Sequence, residues 1–212
     1  MSMHKNLHCL TRIFCALILI SSAIPSHAQA DGEPVVIGKK IQIHSRVLSE
    51  TRFLFIAKPA GYDEEPERYP VLYLLDGDED NFVQVTGIVQ FLAASERIPP
   101  LLVVGVANTD RTHDLTPSTE VETEIRFHPK NGGANMFLQF VSNELIPYVD
   151  QHYRTRPYKI LIGHSLGGCL PFTLWPLTLR FSTLISLLIH PYPGITRQYW
   201  RKHKALWRSG KN

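Results

Sequence analysis

The sequence predicts an α/β fold with an open, doubly wound and mostly parallel sheet. Three uninterrupted apolar runs, each short enough for a strand, alternate with segments whose apolar residues recur every three to four positions. Strands that are apolar throughout are typical of parallel sheets with helices on both faces, because both sides of such a strand are buried. A glycine-flanked serine directly follows the third run and adds a candidate chemical site.

The composition is that of one folded domain with an additional segment. The chain has 212 residues, of which 44% are hydrophobic and 19% are charged. These values exclude disordered, collagen-like and coiled-coil classes. The three cysteines, Cys9, Cys15 and Cys169, are too few for a disulfide scaffold and lack the spacing of metal ligands. We therefore expect no structural metal, and no motif in the sequence indicates a cofactor.

The first 30 residues have the pattern of an export signal. Lys5 and Arg12 precede an apolar run at residues 13–24, and Ala28-Gln29-Ala30 supplies small residues at the spacing of a signal peptidase site. The run is shorter than the ~20 residues that a transmembrane helix needs, so a cleaved signal peptide is favoured over an anchor. We expect a mature chain that begins at Asp31 and is periplasmic or secreted.

Two short β-rich runs open the expected mature chain. Residues 40–44 and 52–56 alternate in polarity or are rich in β-branched and aromatic side chains. The polar Ser49 and Glu50 separate them. This arrangement predicts an antiparallel pair of strands at one edge of the sheet.

Three apolar runs and two amphipathic segments then alternate. Residues 71–75, 101–106 and 159–162 are apolar enough for strands buried on both faces. Apolar residues recur at helical spacing between them, namely Phe82, Val85, Ile88, Val89 and Leu92 in one segment and Met136, Phe137, Phe140, Val141 and Leu145 in the other. Strands alternating with helices predict βαβ units, which form a parallel sheet with helices on both faces.

The segment Gly163-His164-Ser165-Leu166-Gly167 matches the pattern G-x-S-x-G and directly follows the third predicted strand. In hydrolases this pattern makes a sharp strand-to-helix turn that exposes the serine hydroxyl. Glycines flank the serine because side chains in so tight a turn would clash. The motif predicts Ser165 as a nucleophile and the backbone N–H of Leu166 as a donor to the oxyanion. We interpret His164 as a packing residue.

Four further stretches accompany this motif. They are Tyr69-Pro70-Val71-Leu72-Tyr73-Leu74-Leu75-Asp76-Gly77, Asn108-Thr109-Asp110-Arg111-Thr112-His113-Asp114-Leu115-Thr116-Pro117, Gly132-Gly133-Ala134 and Glu144-Leu145-Ile146-Pro147-Tyr148. In combination, over about residues 37–168, they resemble the putative-esterase family of α/β hydrolases, which includes esterase D, siderophore esterases, feruloyl esterases and mycolyl transferases. The resemblance implies an α/β-hydrolase-type fold, hydrolysis of a small-molecule carboxylic ester through an acyl-serine, and the backbone N–H of Asp78 as the second oxyanion donor.

Two polar groups near these stretches have simpler interpretations. The acidic cluster Asp76, Asp78, Glu79 and Asp80 lacks the spacing of a calcium-binding loop. Acidic side chains favour helix N-termini, so we interpret the cluster as the solvated start of a helix. We interpret His113 as part of a loop held by hydrogen bonds, with substrate contact as the alternative.

The charge balance changes abruptly after the serine motif. Residues 31–168 contain 13 basic and 19 acidic residues, a net −6, whereas residues 169–212 contain seven basic residues and no acidic one. Because a triad of this fold follows the order Ser, acid, His, the general base and acid are unassigned even though His190 and His203 are present. An upstream acid such as Asp114 could substitute only if the fold placed it and a histidine beside Ser165. The alternative function is an inactive remnant or ligand-binding protein that retains the cleft.

We interpret residues 169–212 as an out-of-frame tail, so that the sheet would be incomplete at its C-terminus. In one codon offset, the stretch from Gly168 can encode Leu-Ser-Ala-Leu-Tyr-Ala-Leu-Ala-Phe, and residues 189–197 can encode Pro-Ser-Leu-Ser-Trp-Tyr-Tyr-Lys. The second is similar to a Ser-Pro-Ser-Leu-x-Trp stretch of the family. The alternative is a natural basic tail for membrane or nucleic acid, but its prolines disfavour a regular basic helix. We expect no nucleic-acid partner and no stable membrane anchor, and the oligomeric state is undefined.

Overall fold

One sheet of six strands organises the part of the chain that the computed structural model describes, which is residues 32–168 and the backbone of residues 183–187. The strands are β1 (Lys39–Ser45), β2 (Glu50–Ala57), β3 (Tyr69–Leu74), β4 (Leu102–Val106), β5 (Thr155–His164) and β6 (Thr183–Leu187). Their order across the sheet is β1-β2-β4-β3-β5-β6. Strands β3 to β6 are parallel, while β2 runs antiparallel to both of its neighbours. The predicted edge pair and parallel centre are therefore confirmed.

Several of the sequence-based predictions lie outside the described residues. These are the signal peptide at residues 1–30, the mature start at Asp31, and Cys169, His190 and His203 in the basic tail. Within the described residues, no helix has both the length and the apolar character needed to cross a membrane.

Helices connect the strands. They are α1 (Glu79–Ala94), α2 (Arg111–Leu115), α3 (Glu122–Phe127), α4 (Ala134–Phe140) and α5 (Ile146–His152). A π-helical turn, Val141–Leu145, joins α4 to α5 without a break. The sequence predicts α1 and the α4 segment but not α2 or α3, because helices of five and six residues are too short to show a periodic apolar stripe.

The core has two apolar clusters, one on each face of the sheet. Strand β3 is buried along its whole length and supplies both, because successive side chains of a strand point to opposite faces. Val71 and Tyr73 join the cluster that contains α4 and α5, whereas Leu72 and Leu74 join the cluster that contains α1. Burial raises the pKa of Tyr73, and the nearby Asp150 carboxylate raises it further. Helices on both faces are thus confirmed.

Two of the apolar residues whose spacing predicted the helices are exposed. Ile88 in α1 is 59% exposed and Met136 in α4 is 43% exposed. The buried stripe of α1 is narrow and consists of Phe82, Thr86 and Val89. Ile88 lies about 100° around the helix from Val89, which takes its side chain out of that stripe. Apolar spacing identified the helix correctly but overestimated the width of its buried face.

The π-helical turn holds the β1–β2 hairpin. The Glu144 carboxylate accepts hydrogen bonds from Ser45 Oγ at 2.5 Å, from the Arg46 backbone N–H at 3.0 Å and from the Val47 backbone N–H at 3.1 Å. A carboxylate is a strong acceptor for backbone N–H groups that no strand partner satisfies. Glu144 therefore connects two segments that lie nearly 100 residues apart in the chain.

Candidate active site

Ser165 lies at the point where β5 ends and a helical segment, residues 166–168, begins. Its φ is +55°, in the left-handed region that non-glycine residues rarely adopt. A residue held there stores strain of order 1–3 kcal/mol. The sharp strand-to-helix turn that the motif predicts is therefore present, with the Ser165 side chain half-buried at the edge of the sheet.

The turn is tight because its two flanking glycines almost touch. A Cβ added to Gly163 would lie 2.1 Å from the carbonyl oxygen of Gly167 and 2.4 Å from its carbonyl carbon. Both atoms belong to the backbone, so no side-chain rotation could relieve the overlap. The backbone path of the turn thus requires glycine at position 163.

Replacing Gly163 with alanine is expected to lower the free energy of unfolding by about 1–3 kcal/mol, because the new methyl group must displace backbone. Gly87→Ala is the matched control. Gly87 lies inside α1, and a Cβ there meets no atom within 4 Å. Alanine at this position should therefore raise the free energy of unfolding by about 0.5–1 kcal/mol. Urea unfolding measures both values. Equal free energies for the two variants would contradict the tight packing of the turn.

The loop after β3 lies beside this turn. Asp76 also has a left-handed φ of +55°. The Gly77 backbone N–H donates to the Val106 carbonyl at 3.0 Å, and a Cβ on Gly77 would lie 2.5 Å from backbone atoms of β4. On the other side, the Leu75 backbone N–H donates to the Ile162 carbonyl at 2.8 Å. The loop is therefore held between β4 and β5.

The structure brings the two predicted oxyanion donors to the same edge of the sheet. Asp78 occupies the residue before α1, and Leu166 is the first residue of the helical segment after Ser165. Helix starts leave backbone N–H groups without partners inside the helix. Within residues 32–168, neither of these two N–H groups donates a hydrogen bond to another residue.

Three polar residues connect the ends of β3, β4 and β5, and we call them the strand-end network: Asp76, Asn108 and Arg111. Arg111 Nε donates to Asp76 Oδ1 at 2.6 Å and Arg111 Nη2 donates to Asp76 Oδ2 at 2.8 Å. Asn108 Nδ2 donates to Asp76 Oδ1 at 2.9 Å. Arg111 Nη2 also donates to the His164 carbonyl at 3.3 Å. The network thus connects the loop after β3 to the residue before Ser165.

The interpretation of the acidic cluster is correct for two of its members and wrong for the others. Glu79 and Asp80 are exposed in the first turn of α1. Asp76 is buried and paired with Arg111. Asp78 makes no side-chain cap on α1 and instead accepts hydrogen bonds from Asn108. No group of three potential metal ligands forms among the described residues.

His113 and Asp114 lie on α2 rather than in an irregular loop. Asp114 is 2% exposed, and its two carboxylate oxygens accept hydrogen bonds from the buried Arg52 at 2.5 and 3.0 Å. His113 is half-exposed, and its Nδ1 lies 3.6 Å from Asp114 Oδ1. Asp110 caps α2: its carboxylate accepts a hydrogen bond from the His113 backbone N–H, which lowers the pKa of that carboxyl, and Lys130 adds to the effect. Both carboxylate oxygens of Asp114 are therefore occupied by hydrogen bonds from Arg52.

The interpretation of His164 as a packing residue is wrong, because its side chain is exposed. His164 instead connects to the strand-end network through its backbone carbonyl, which accepts a hydrogen bond from Arg111. Sequence reasoning also missed the strand-end network itself. The only signal for it was the similarity of the Asn108–Pro117 stretch to the family, which indicated importance without a role.

A separate cavity of about 480 Å³ lies at the opposite edge of the sheet, where β1, β3 and β5 begin. Its walls include Lys39, Lys58, Tyr62, Arg68 and Arg154. Lys58 is already paired with Asp63, and Arg154 donates to the carbonyls of Glu65 and Glu67 and lies over the Tyr62 ring. These contacts explain the charged side chains around the cavity as parts of the fold. We therefore place the candidate site at the other edge of the sheet, beside Ser165.

The sequence is similar to those of known esterases. The family model described as Putative esterase matches residues 45–174. Apo-salmochelin esterase of Escherichia coli O6:H1 is 33% identical over 119 residues, which are 50% of this chain and 37% of that protein. Ferri-bacillibactin esterase BesA of Bacillus subtilis is 29% identical over 140 residues, 58% of this chain and 48% of that protein. The chain therefore spans less than half the length of these curated relatives.

Solved structures show the same similarity. An IroE-like serine hydrolase from Shewanella oneidensis has a TM-score of 0.63 and 34% sequence identity, with 70% of this chain and 49% of that chain covered. The BES protein from Bacillus cereus has a TM-score of 0.68 at 22% identity, with 85% and 73% covered, and supports the fold alone. The α/β-hydrolase-type fold is confirmed. Because the family match covers more than half of the sequence, the chain belongs to the Putative esterase family.

Proposed function

We propose that this protein is a carboxylic ester hydrolase with Ser165 as its nucleophile. The observation that carries the proposal is the left-handed Ser165 at the start of a helical segment, beside the loop that presents the Asp78 N–H. The hydroxyl oxygen attacks the ester carbonyl carbon, its proton passes to a base and then to the leaving alcohol, and the carbon–oxygen bond to the alcohol breaks. Water then cleaves the acyl-serine in the same manner and releases the acid.

The two backbone N–H groups supply the electrostatic part of this reaction. Negative charge develops on the carbonyl oxygen as Ser165 attacks, and in this proposal the N–H groups of Asp78 and Leu166 donate hydrogen bonds to it. Removing one donor of this kind typically lowers kcat by about 10²- to 10³-fold. Both donors are backbone groups at helix starts, so in this proposal their direction is set by the fold before the reaction begins.

The proposed substrate class is a small-molecule ester of the siderophore type. Two relatives are named for such substrates, apo-salmochelin and ferri-bacillibactin. We propose neither nucleic acid nor a membrane as a partner. A metal ion carried by such a substrate would be cargo rather than a resident cofactor.

The second candidate function is a ligand-binding protein or inactive remnant that retains the cleft. It is favoured by one fact of the sequence, the absence of any Asp or Glu after Asp150. Without an acid to orient it, even a well-placed histidine is a weakened base.

A fluorophosphonate probe separates the two functions, because only an activated serine reacts with it rapidly. We expect labelling of the chain that is slower than labelling of a version whose reading frame is restored after Gly168, and no labelling of Ser165→Ala. Ser49→Ala is the matched control: Ser49 has a φ of +54°, nearly that of Ser165, but lies in the β1–β2 turn. Labelling should survive in Ser49→Ala. Equal labelling of the unaltered chain and Ser165→Ala would favour the binding function.

We further propose that the chain is exported and cleaved after Ala30, since residues 1–30 combine a basic start, an apolar run and a peptidase site. N-terminal sequencing of exported protein should begin at Asp31. Exported material that still begins at Met1 would overturn this proposal.

A further inference from the structure

We infer that the cavity of about 480 Å³ at the edge of the sheet opposite Ser165 binds a small organic polyanion through Lys39, Arg68 and Arg154. We call it the basic cavity. Its three cations stand where β1, β3 and β5 begin, whereas Ser165 follows the end of β5, so this site is separate from the proposed catalytic one. Its volume is within the range of small-molecule sites, which is about 300–1,000 Å³.

The sheet brings the three cations together. Lys39 is the first residue of β1, Arg68 directly precedes β3, and Arg154 directly precedes β5. The Tyr69 backbone N–H donates to the Arg154 carbonyl at 2.9 Å, and Arg68 Nη1 donates to the Thr155 carbonyl at 3.4 Å. Pairing of β3 with β5 therefore fixes where the two arginines stand relative to each other, whether or not a ligand is bound.

These three cations contact neutral groups. Lys39 Nζ lies 5.5 Å from the centre of the Tyr153 ring, and Arg68 and Arg154 donate to backbone carbonyls. Within residues 32–168, no carboxylate oxygen lies within 4.0 Å of their side-chain nitrogens. Aromatic rings and carbonyls can hold a cation in place, but they carry no net charge that would cancel it. Each of the three cations therefore keeps its full charge.

The other charged residues around the basic cavity cancel in pairs. Lys58 Nζ lies 2.7 Å from Asp63 Oδ1. Asp150 is the one acidic residue that the described part of the chain contributes to the lining, and its Oδ1 lies 3.0 Å from Lys159 Nζ. With His152 counted as neutral, the three cations named above remain uncompensated. A cavity lined by one sign of charge concentrates ions of the opposite sign.

Arg154 supplies donors that are already oriented. Its Nε donates to the Glu67 carbonyl at 3.1 Å, and its Nη2 donates to the Glu65 carbonyl at 3.0 Å and to the Tyr62 carbonyl. The guanidinium also lies 4.0 Å from the centre of the Tyr62 ring. None of these bonds uses Nη1. A planar guanidinium held in this way loses little freedom when its remaining N–H groups bind a carboxylate or phosphate oxygen.

The ligand that matches these features is a small molecule with at least two carboxylate or phosphate groups. Three like charges around one cavity repel one another, and anionic groups shared among them remove that repulsion. A monovalent anion contacts one cation at a time, whereas a polyvalent anion can bridge several and gains affinity from each additional contact. The oriented guanidinium of Arg154 favours oxygen anions over halides, because its N–H groups match the geometry of such groups.

The test is isothermal titration calorimetry of the full chain with citrate, at a constant ionic strength of about 0.15 M so that screening is equal throughout. We expect saturable binding of one citrate per chain. Acetate should bind about tenfold more weakly or worse, because it has a single carboxylate. Lys39→Gln and Arg68→Gln should each weaken citrate binding by about two- to fivefold, as expected for exposed charges. Arg154→Lys keeps the charge but lacks the planar donors, and it should weaken binding by about tenfold or more.

Two control variants separate the basic cavity from net charge. Arg126→Gln removes one positive charge from α3, outside the lining, and should leave citrate affinity unchanged. The combined Lys58→Gln and Asp63→Asn variant removes a neutral pair from the cavity and should also leave it unchanged. Far-UV circular dichroism checks folding, and the exposed Lys39 and Arg68 decide the outcome if Arg154→Lys is unfolded. Absence of saturable binding, equal affinity for acetate, or an equal loss in Arg126→Gln would overturn the inference.

Backbone amide NMR locates the bound citrate and keeps this inference separate from the proposed function. Citrate should shift amide signals at the starts of β1, β3 and β5 and leave those of residues 76–78 and 163–168 unchanged. The same shifts should appear in Ser165→Ala, whatever the esterase activity of the chain. Shifts confined to residues 76–78 and 163–168 would overturn the inference, because the anion would then lie at the proposed oxyanion donors.

Discussion

A version of the chain that is read after Gly168 in the codon offset encoding the family-like segments, which we call the restored version, is expected to hydrolyse p-nitrophenyl butyrate about a thousandfold or more faster than the chain as written. The reason is that a complete triad contributes up to about 10⁶-fold, whereas an oxyanion hole and binding alone retain about 10³- to 10⁴-fold over water. Residues 169–212 contain no Asp or Glu, so no carboxylate side chain there can orient a histidine base. The measurement is kcat for both purified proteins at one pH.

An upstream acid that oriented a histidine would weaken this prediction, and Asp114 was the upstream candidate. Asp114 is the carboxylate nearest to a histidine on α2, but Arg52 occupies both of its oxygens. Ser165→Ala is the control in both backgrounds and should abolish the gain. The prediction fails if the chain as written turns over within about tenfold of the restored version and Ser165→Ala removes that turnover, because a working base and acid would then be present already.

Replacing Asp114 with alanine is expected to lower the free energy of unfolding by about 3 kcal/mol, because it breaks a buried ion pair. Arg52 is 1% exposed and Asp114 is 2% exposed. Removing the carboxylate takes two hydrogen bonds from a guanidinium inside the core, which then retains the partly exposed Glu50 carboxylate as an ion-pair partner. The Phe137 ring, 5.5 Å away, cannot replace the lost hydrogen bonds. Urea unfolding followed by far-UV circular dichroism measures the change.

The matched control for this variant is Asp63→Ala. Its partner is Lys58, and both side chains are well exposed, so the loss should be about 0–1 kcal/mol. A combined Arg52→Leu and Asp114→Leu variant should recover much of the stability, since replacing a whole buried pair by apolar residues is often neutral. Similar losses for Asp114→Ala and Asp63→Ala would show that the buried pair is not a main determinant of stability.

The fold class could be predicted because burial leaves a local signature. Residues 71–75 are apolar without interruption, and β3 is buried on both faces as that pattern requires. The G-x-S-x-G motif is local in the same way, since its glycines and serine share one turn. Ile88 shows the limit of periodicity, which identifies a helix but not how much of its surface another layer covers.

The strand-end network could not be predicted from the sequence. Asp76 and Arg111 are 35 residues apart, and Arg111 and His164 are 53 residues apart. No periodicity joins such pairs, because their contact depends on how β3, β4 and β5 line up in the sheet. The same holds for Glu144, whose partners Ser45 to Val47 lie at the other end of the described chain.

The close approach of backbone at Gly163 and Gly77 also limits which amino-acid substitutions these two positions can accept during evolution. Any missense change in a glycine codon adds at least a Cβ, and at both positions that atom would fall on neighbouring backbone at 2.1 to 2.5 Å. Neither position therefore has a conservative substitution. In a random-mutagenesis library, we expect substitutions at codons 163 and 77 to be depleted relative to those at codon 87. Evolution of new activity at this site must proceed through the residues around the two turns.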